Sequence, residues 1–356
     1  MKIAFLSLYN AFDVTHIGGV DATVRRLSNE LIQQGYQIEH VHYGSPADSQ
    51  ETHNDIGVFH FGTFKQALNH VKASCTQLVT IYLLPRDRIP FARFRLANRQ
   101  ITFSHIYFTF PESRLKRLLM MLDAWVVPFS GRLFAVSPRL VKLVPWGKGQ
   151  LLWPPVPTGY FRKKSSGPAD TLRMTFMGRI DPNKGTGEAL ELFRTLKQRG
   201  VPIHARICGY PWKHKPETMA LHDALLAQSD VVYEPRKFDG FSPEIEQYVS
   251  DTLAETDVLV LPYRKLSSTI DTPMLLLEGM AHDCVVLTRP LGDMPTTFGS
   301  EMFMFEQFAD VENIDTALVQ LKNNVDAERT RIARQADALK FETPSVAKQF
   351  LLGLGI

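Results

Sequence analysis

Short apolar runs alternate with helix-patterned segments along most of the chain, and this rhythm restricts the fold more than any other feature. Residues 3–8, 37–42, 56–61 and 78–83 read as strands, the first and last of them as apolar runs. Between the first two, residues 21–34 carry Ala22, Val24, Leu27, Leu31 and Ile32 at helical spacing, and Gly35 ends the segment. A strand–helix–strand succession predicts an α/β fold with parallel sheets covered by helices, because parallel neighbours need a crossover that a helix supplies.

The rhythm restarts after residue 160. Strands are predicted at 173–177, 203–208, 231–233, 258–261 and 285–287, and helices at 187–199, 216–228, 245–255 and 273–282. Residues 153–170, WPPVPTGYFRKKSSGPAD, have the composition of a linker. The 356 residues therefore read as two Rossmann-like domains, 1–158 and 159–337, whose sheets face an interdomain cleft, a common place for a ligand.

Charge adds a second asymmetry. Forty Lys and Arg against 37 Asp and Glu give a net +3, which excludes a strongly basic nucleic-acid coat. The total conceals a net +7 through Tyr160 and a net −4 beyond it. Between Arg86 and Lys148, 12 basic residues meet three acidic ones, with apolar residues interleaved. That stretch is either a solvated cationic face over an ordinary core or a surface for anionic lipid headgroups. The three cysteines, Cys75, Cys208 and Cys284, are too far apart for a disulfide framework or zinc ligand spacing. A reducing cytoplasm is the expected compartment, and no transmembrane helix is expected from so interrupted an apolar pattern.

Three segments carry candidate chemistry. In HIGGV, residues 16–20, Gly18 and Gly19 permit close backbone approach just before a helix N-terminus that offers free N–H groups to an anion. A tight turn between strand and helix would use the same residues. In FMGRIDPNKG, residues 176–185, Arg179 and Lys184 lie beyond a strand end, where a guanidinium fork and an ammonium suit a diphosphate. In residues 271–287, Thr272 is placed to cap a helix whose first residue is Pro273. Glu278 falls among Leu275, Leu276, Leu277, Met280 and Ala281, where a carboxylate needs a partner such as the paired hydroxyls of a ribose.

Taken with LFAVSPRLVKL at 133–143, LLWPPVPTGYF at 151–161 and residues 253–292, these segments resemble the retaining GT-B-fold glycosyltransferases, family 4 in particular. The resemblance spans nearly the whole chain. It implies that Gly18 and Gly19 abut the donor diphosphate, that Arg179 and Lys184 neutralise it as it leaves, and that Glu278 binds the ribose. Thr272 joins this donor-binding set. The usual first glutamate of the pair is replaced by Ile270, so Asp271, one residue later, or the backbone beside it, is expected to contact the transferred sugar. His105, in ITFSHIYF, matches a histidine facing that sugar; a structural histidine is the competing reading. The closing residues 338–356 are expected to form a helix that returns to the first domain. His282 and Asp283 stand where the family has a glycine, and the usual glutamate near Gly292–Pro295 is missing.

The implied reaction moves a sugar from a nucleoside-diphosphate sugar to a hydroxyl of a glycan, a lipid-linked acceptor or a small molecule, in polysaccharide or glycoconjugate synthesis. A UDP-sugar is the expected donor and a GDP-sugar the alternative. No Asp-x-Asp occurs in the chain, so no metal is expected, and His40 with His42 makes a poor metal site. The enzyme is then a metal-independent hexosyltransferase, cytoplasmic or peripheral on the inner face of the membrane. Two rival readings are a nucleotide-sugar-binding protein without turnover, motivated by Ile270, and a GT-B epimerase or hydrolase.

Overall fold

A computed structural model describes the chain except residues 9, 14–17, 82, 112, 127–131, 145–147, 165–169, 212–214, 236–239, 267, 268 and 301, and the side chains of 122–126. It divides into two compact units. Unit 1 holds residues 1–155, 269–272 and 342–356; unit 2 holds 156–268 and 273–341.

The strands of unit 1 are β1 (Lys2–Ser7), β2 (Gln37–Tyr43), β3 (Ser49–His53), β4 (Ile56–Phe61), β5 (Gln77–Ile81), β6 (Thr102–Tyr107), β7 (Leu133–Ala135) and β8 (Gly149–Leu151). Their order in the sheet is β3-β4-β2-β1-β5-β6-β7-β8. Every pairing is parallel except β3 with β4. The sheet order reverses direction between β1 and β5, the kind of switch point at which α/β folds bind ligands. β3 is absent from the sequence reading because SQETH has no apolar alternation and is largely exposed. It forms because Asn54 and Asp55 both take positive φ, 48° and 65°, as a tight hairpin turn requires.

The helices of unit 1 are α1 (Gly19–Gln33), α2 (Phe64–Ser74), α3 (Arg88–Ala97), α4 (Arg114–Val126), α5 (Pro138–Leu143) and, from the end of the chain, α12 (Thr343–Leu354). α1 and α12 pack together. Phe350 of α12 stacks on Phe5 and leans on Phe134, with ring centroids 6.0 and 5.1 Å away. Gly353 lets the helix come this close, since a Cβ there would lie 2.5 Å from the Phe134 ring.

In unit 2 the strands β9 (Leu172–Ile180), β10 (Ile203–Pro211), β11 (Val232–Pro235), β12 (Val258–Leu261) and β13 (Val285–Thr288) form an all-parallel sheet in the order β11-β10-β9-β12-β13. Its helices are α6 (Thr186–Gln198), α7 (Pro216–Leu226), α8 (Ile245–Ala254), α9 (Met274–Ala281), α10 (Met294–Phe298) and α11 (Val311–Leu339). The switch point lies between β9 and β12. α11 bends at Asn324, whose φ of −133° interrupts the helix. Among the described residues, no helix is long and apolar enough to cross a membrane.

Candidate functional site

Within unit 2 the candidate residues gather at the C-terminal ends of β9 and β12, beside the switch point. Arg179 stands one residue before the end of β9, next to Gly178, whose φ of 145° suits only glycine. The Arg179 guanidinium donates to Asp181 at 3.1 Å. Asp181 in turn accepts the Asn183 amide at 2.7 Å, which shapes the turn that carries Lys184. Gly185 closes that turn at φ 75°, and a Cβ there would strike the Pro262 carbonyl at 2.1 Å. The turn therefore lies hard against the loop after β12, and the Lys184 ammonium sits 4.4 Å from the centroid of the Tyr263 ring.

Tyr263 is buried, and Glu278 of α9 is buried too. The Tyr263 phenol is pushed up by burial and by the charge of Glu278, against a smaller opposite effect from Arg179. Lys184 is pushed down to about 7 by burial and by the charge of Arg179, which Asp181 offsets in part. Arg179, Asp181, Lys184, Tyr263 and Glu278 therefore form one electrostatic group. The charge of Arg179 acts on Lys184, and Asp181, already paired with Arg179, offsets only part of that repulsion.

The start of α9 differs from its sequence expectation. Pro273 is the N-cap and Met274 the first helical residue, so Thr272 lies outside the helix and does not cap it. The Thr272 hydroxyl is buried with no hydrogen-bond partner among the described residues. At the other end of α9, the Nδ1 of His282 lies 2.9 Å from the Glu278 carbonyl, to which it must donate, and Nε2 lies 3.1 Å from the Ser250 hydroxyl. Burial holds this imidazole down to about 4, hence neutral. Asp283 takes φ 53°, so the left-handed turn is made without a glycine.

Unit 1 holds the remaining candidates. Gly18 is the N-cap of α1 and Gly19 its first residue; His16 and Ile17 of the same loop lie outside the described residues. Ile270 packs over Gly19, where a Cβ would meet its side chain at 3.2 Å. The Asp271 amide donates to the Phe108 carbonyl at 2.7 Å. The Asp271 carboxylate is fully buried and accepts hydrogen bonds from the Ser137 hydroxyl and from Arg139, whose Nε lies at 2.8 Å. Arg139 lies 4.1 Å over the Phe110 ring. These bonds are the reason residues 269–272, read from sequence as part of the second domain, belong to unit 1. His105 is buried in β6, its Nδ1 2.8 Å from the Thr80 hydroxyl and its ring edge-on to Tyr107.

The sequence reading named neither Tyr263, Asp181, Ser137 nor Arg139 as site residues. Asp181 and the Ser-Pro-Arg run stood inside segments already singled out, but nothing local announces that Arg139 pairs with a carboxylate 132 residues away. Among the described residues no group of three or more His, Cys, Asp and Glu is arranged to hold a metal ion. His40 is instead a core residue, with Nε2 2.8 Å from the Ser28 hydroxyl and its pKa driven well below the ordinary value by burial.

Residues 171–324 match the family described as glycosyl transferases group 1. WcaL of Salmonella typhimurium, described as a colanic acid biosynthesis glycosyltransferase, is 29% identical over 143 residues, 39% of this chain. That match spans about a third, 32%, of the relative's length. Among solved structures, a glycosyltransferase from Rickettsia africae superposes with a TM-score of 0.71 at 14% identity, covering 99% of this chain and 97% of the other. HepE of Anabaena, solved with UDP-glucose, gives 0.68 at 13% identity, covering 100% and 99%.

Proposed function

Because the chain has the GT-B fold of those glycosyltransferases and its residues 171–324 match the glycosyl transferases group 1 family, we propose that it is a retaining glycosyltransferase. It moves a hexose from a nucleoside-diphosphate sugar, UDP-linked in the first instance, to a hydroxyl in the synthesis of a polysaccharide or glycoconjugate. The observation that carries this reading is the placing of two cations, Arg179 near the end of β9 and Lys184 in the turn that follows, beside the switch point of unit 2. A diphosphate would offset the repulsion that Asp181 relieves only in part. Glu278 on α9 takes the ribose hydroxyls.

As the sugar–phosphate bond breaks, negative charge grows on the departing diphosphate. Fixed cations stabilise that charge more in the transition state than before it, which is how they accelerate the step. The two side chains do here what a divalent cation does in other sugar transferases. No side chain is assigned as a nucleophile; the acceptor attacks on the leaving-group face and the departing phosphate takes its proton. Asp271, engaged by Ser137 and Arg139, is a positioning residue for 269–272 rather than a direct contact of the sugar.

The test is a panel of UDP- and GDP-sugars with product analysis by mass spectrometry. Arg179→Ala and Lys184→Ala should each lower donor use by more than about tenfold, the scale of a lost charge-assisted contact of ~1.5–3 kcal/mol. Unchanged donor affinity and turnover in both variants would remove the diphosphate assignment. Ile270, an apolar side chain over Gly19, favours one second reading, a nucleotide-sugar-binding protein without turnover. Donor binding with neither transfer nor hydrolysis across the panel would establish that reading instead.

A further inference from the structure

Five of the twelve exposed large apolar side chains among the described residues lie on α3 and α4, two helices that pack against each other. Ile89 and Leu96 are 66% and 62% exposed on α3; Leu115, Leu118 and Met121 are 65%, 52% and 49% exposed on α4. Their spacing, i and i+7 on α3 and i, i+3 and i+6 on α4, puts each set on one helix face. Isolated exposed leucines need no explanation, but such a concentration marks an interaction surface.

The charges on the same helices narrow the partner. Neither α3 nor the first eight residues of α4 contain an acidic residue. Arg93 is exposed on α3, and Arg114 and Lys116 are exposed in the first turn of α4. Cations at a helix N-terminus oppose the helix dipole, so they weaken α4 taken alone. An external anion at this surface removes that penalty.

We infer that the α3–α4 face of unit 1 docks on an anionic lipid bilayer. A soluble polyanion would pair with the arginines and leave the leucines in water. A bilayer interface satisfies both, with headgroups for the cations and the acyl boundary for Ile89, Leu96, Leu115, Leu118 and Met121. This inference stands on the surface itself and is independent of the donor reading; its variants lie outside the Arg179, Lys184 and Glu278 group.

The experiment is co-sedimentation of the full chain with phosphatidylcholine vesicles, with and without about a third of phosphatidylglycerol. The chain should bind the anionic vesicles at low salt and bind the zwitterionic ones at least about tenfold more weakly. The triple variant Arg93→Glu, Arg114→Glu, Lys116→Glu should lose at least about tenfold in affinity. Leu118→Trp should show a blue-shifted emission on anionic vesicles, a readout that needs no loss of function. The inference is overturned by no binding to anionic vesicles at low salt, by unchanged binding of the triple variant, or by a Leu118→Trp emission that vesicles leave unmoved. Complete displacement from vesicles by dextran sulfate with no emission shift, or a leucine-dependent dimer that excludes vesicles, would likewise overturn it in favour of a polyanion or a second copy.

Discussion

Lys184 shows how a residue's surroundings set its chemistry. Burial and Arg179 hold it down to about 7, so near neutrality it is only partly charged in the empty protein. A bound diphosphate favours the charged form and raises that value. Affinity for UDP-glucose, whose diphosphate does not titrate near neutrality, should therefore be full below about pH 7 and fall as pH rises through it. Lys184→Arg, charged throughout, should flatten the profile in titration calorimetry; an identical slope in both proteins would assign it to another group. Asp271 belongs at this scale as well. Asp271→Asn weakens a buried carboxylate's bonds to Ser137 and Arg139 and should lower stability to denaturant by about 1–3 kcal/mol. If it lowers transfer no more than UDP-glucose binding, its positioning role is lost. Of these residues, Arg179, Lys184 and Glu278 were legible because each broke its local pattern: charges beyond a strand end, a carboxylate among leucines. Arg139 and Tyr263 were not, since their partners come from distant parts of the chain.

At the scale of elements, α9 is a buried helix packed closely on its sheet. Gly279 faces β12, and a Cβ there would lie 2.8 Å from Leu259 Cδ2. Gly279→Ala should cost about 1–3 kcal/mol in urea unfolding, the usual cost of overfilling a packed interior. Its last turn carries a pH dependence of its own. His282 is held to about 4 in the folded chain and returns to about 6.5 on unfolding, so its protonation favours the unfolded state. Stability should be full above pH 6.5 and decline toward pH 4, by on the order of 3 kcal/mol, and His282→Gln should remove that decline. Strands such as β1, β5, β12 and β13 were readable because a parallel strand buried on both faces is a nearly continuous apolar run, whereas β6, β7 and β8 were not read as strands, the last two being only three residues long. β3 was not readable, because an exposed edge strand needs no such run and its hairpin rests on two residues, Asn54 and Asp55, that tolerate positive φ.

For the whole molecule, the two-part rhythm of the sequence reports two sheets because each repeats the same crossover. What the rhythm cannot report is which residues change unit, since that is set by a few specific bonds. α12 is the largest of these returns. Deleting residues 342–356 uncovers Phe5 and Phe134 and removes Phe350, each worth about 1.5–3 kcal/mol of burial. Calorimetry of the truncated chain should show the unit 1 transition lowered or absent and the unit 2 transition retained. Loss of both at once would show that the units do not unfold separately.

The chain passes from one unit to the other at 155/156, at 268/269, at 272/273 and at 341/342. For recombination this matters more than the sizes of the parts. A hybrid made by one crossover near residue 155 would inherit its first sheet from one parent, and its α12 and Asp271 from the other. Exchange of specificity between relatives of this chain therefore needs three grafts made together, and a library built on single crossovers would be rich in misfolded members.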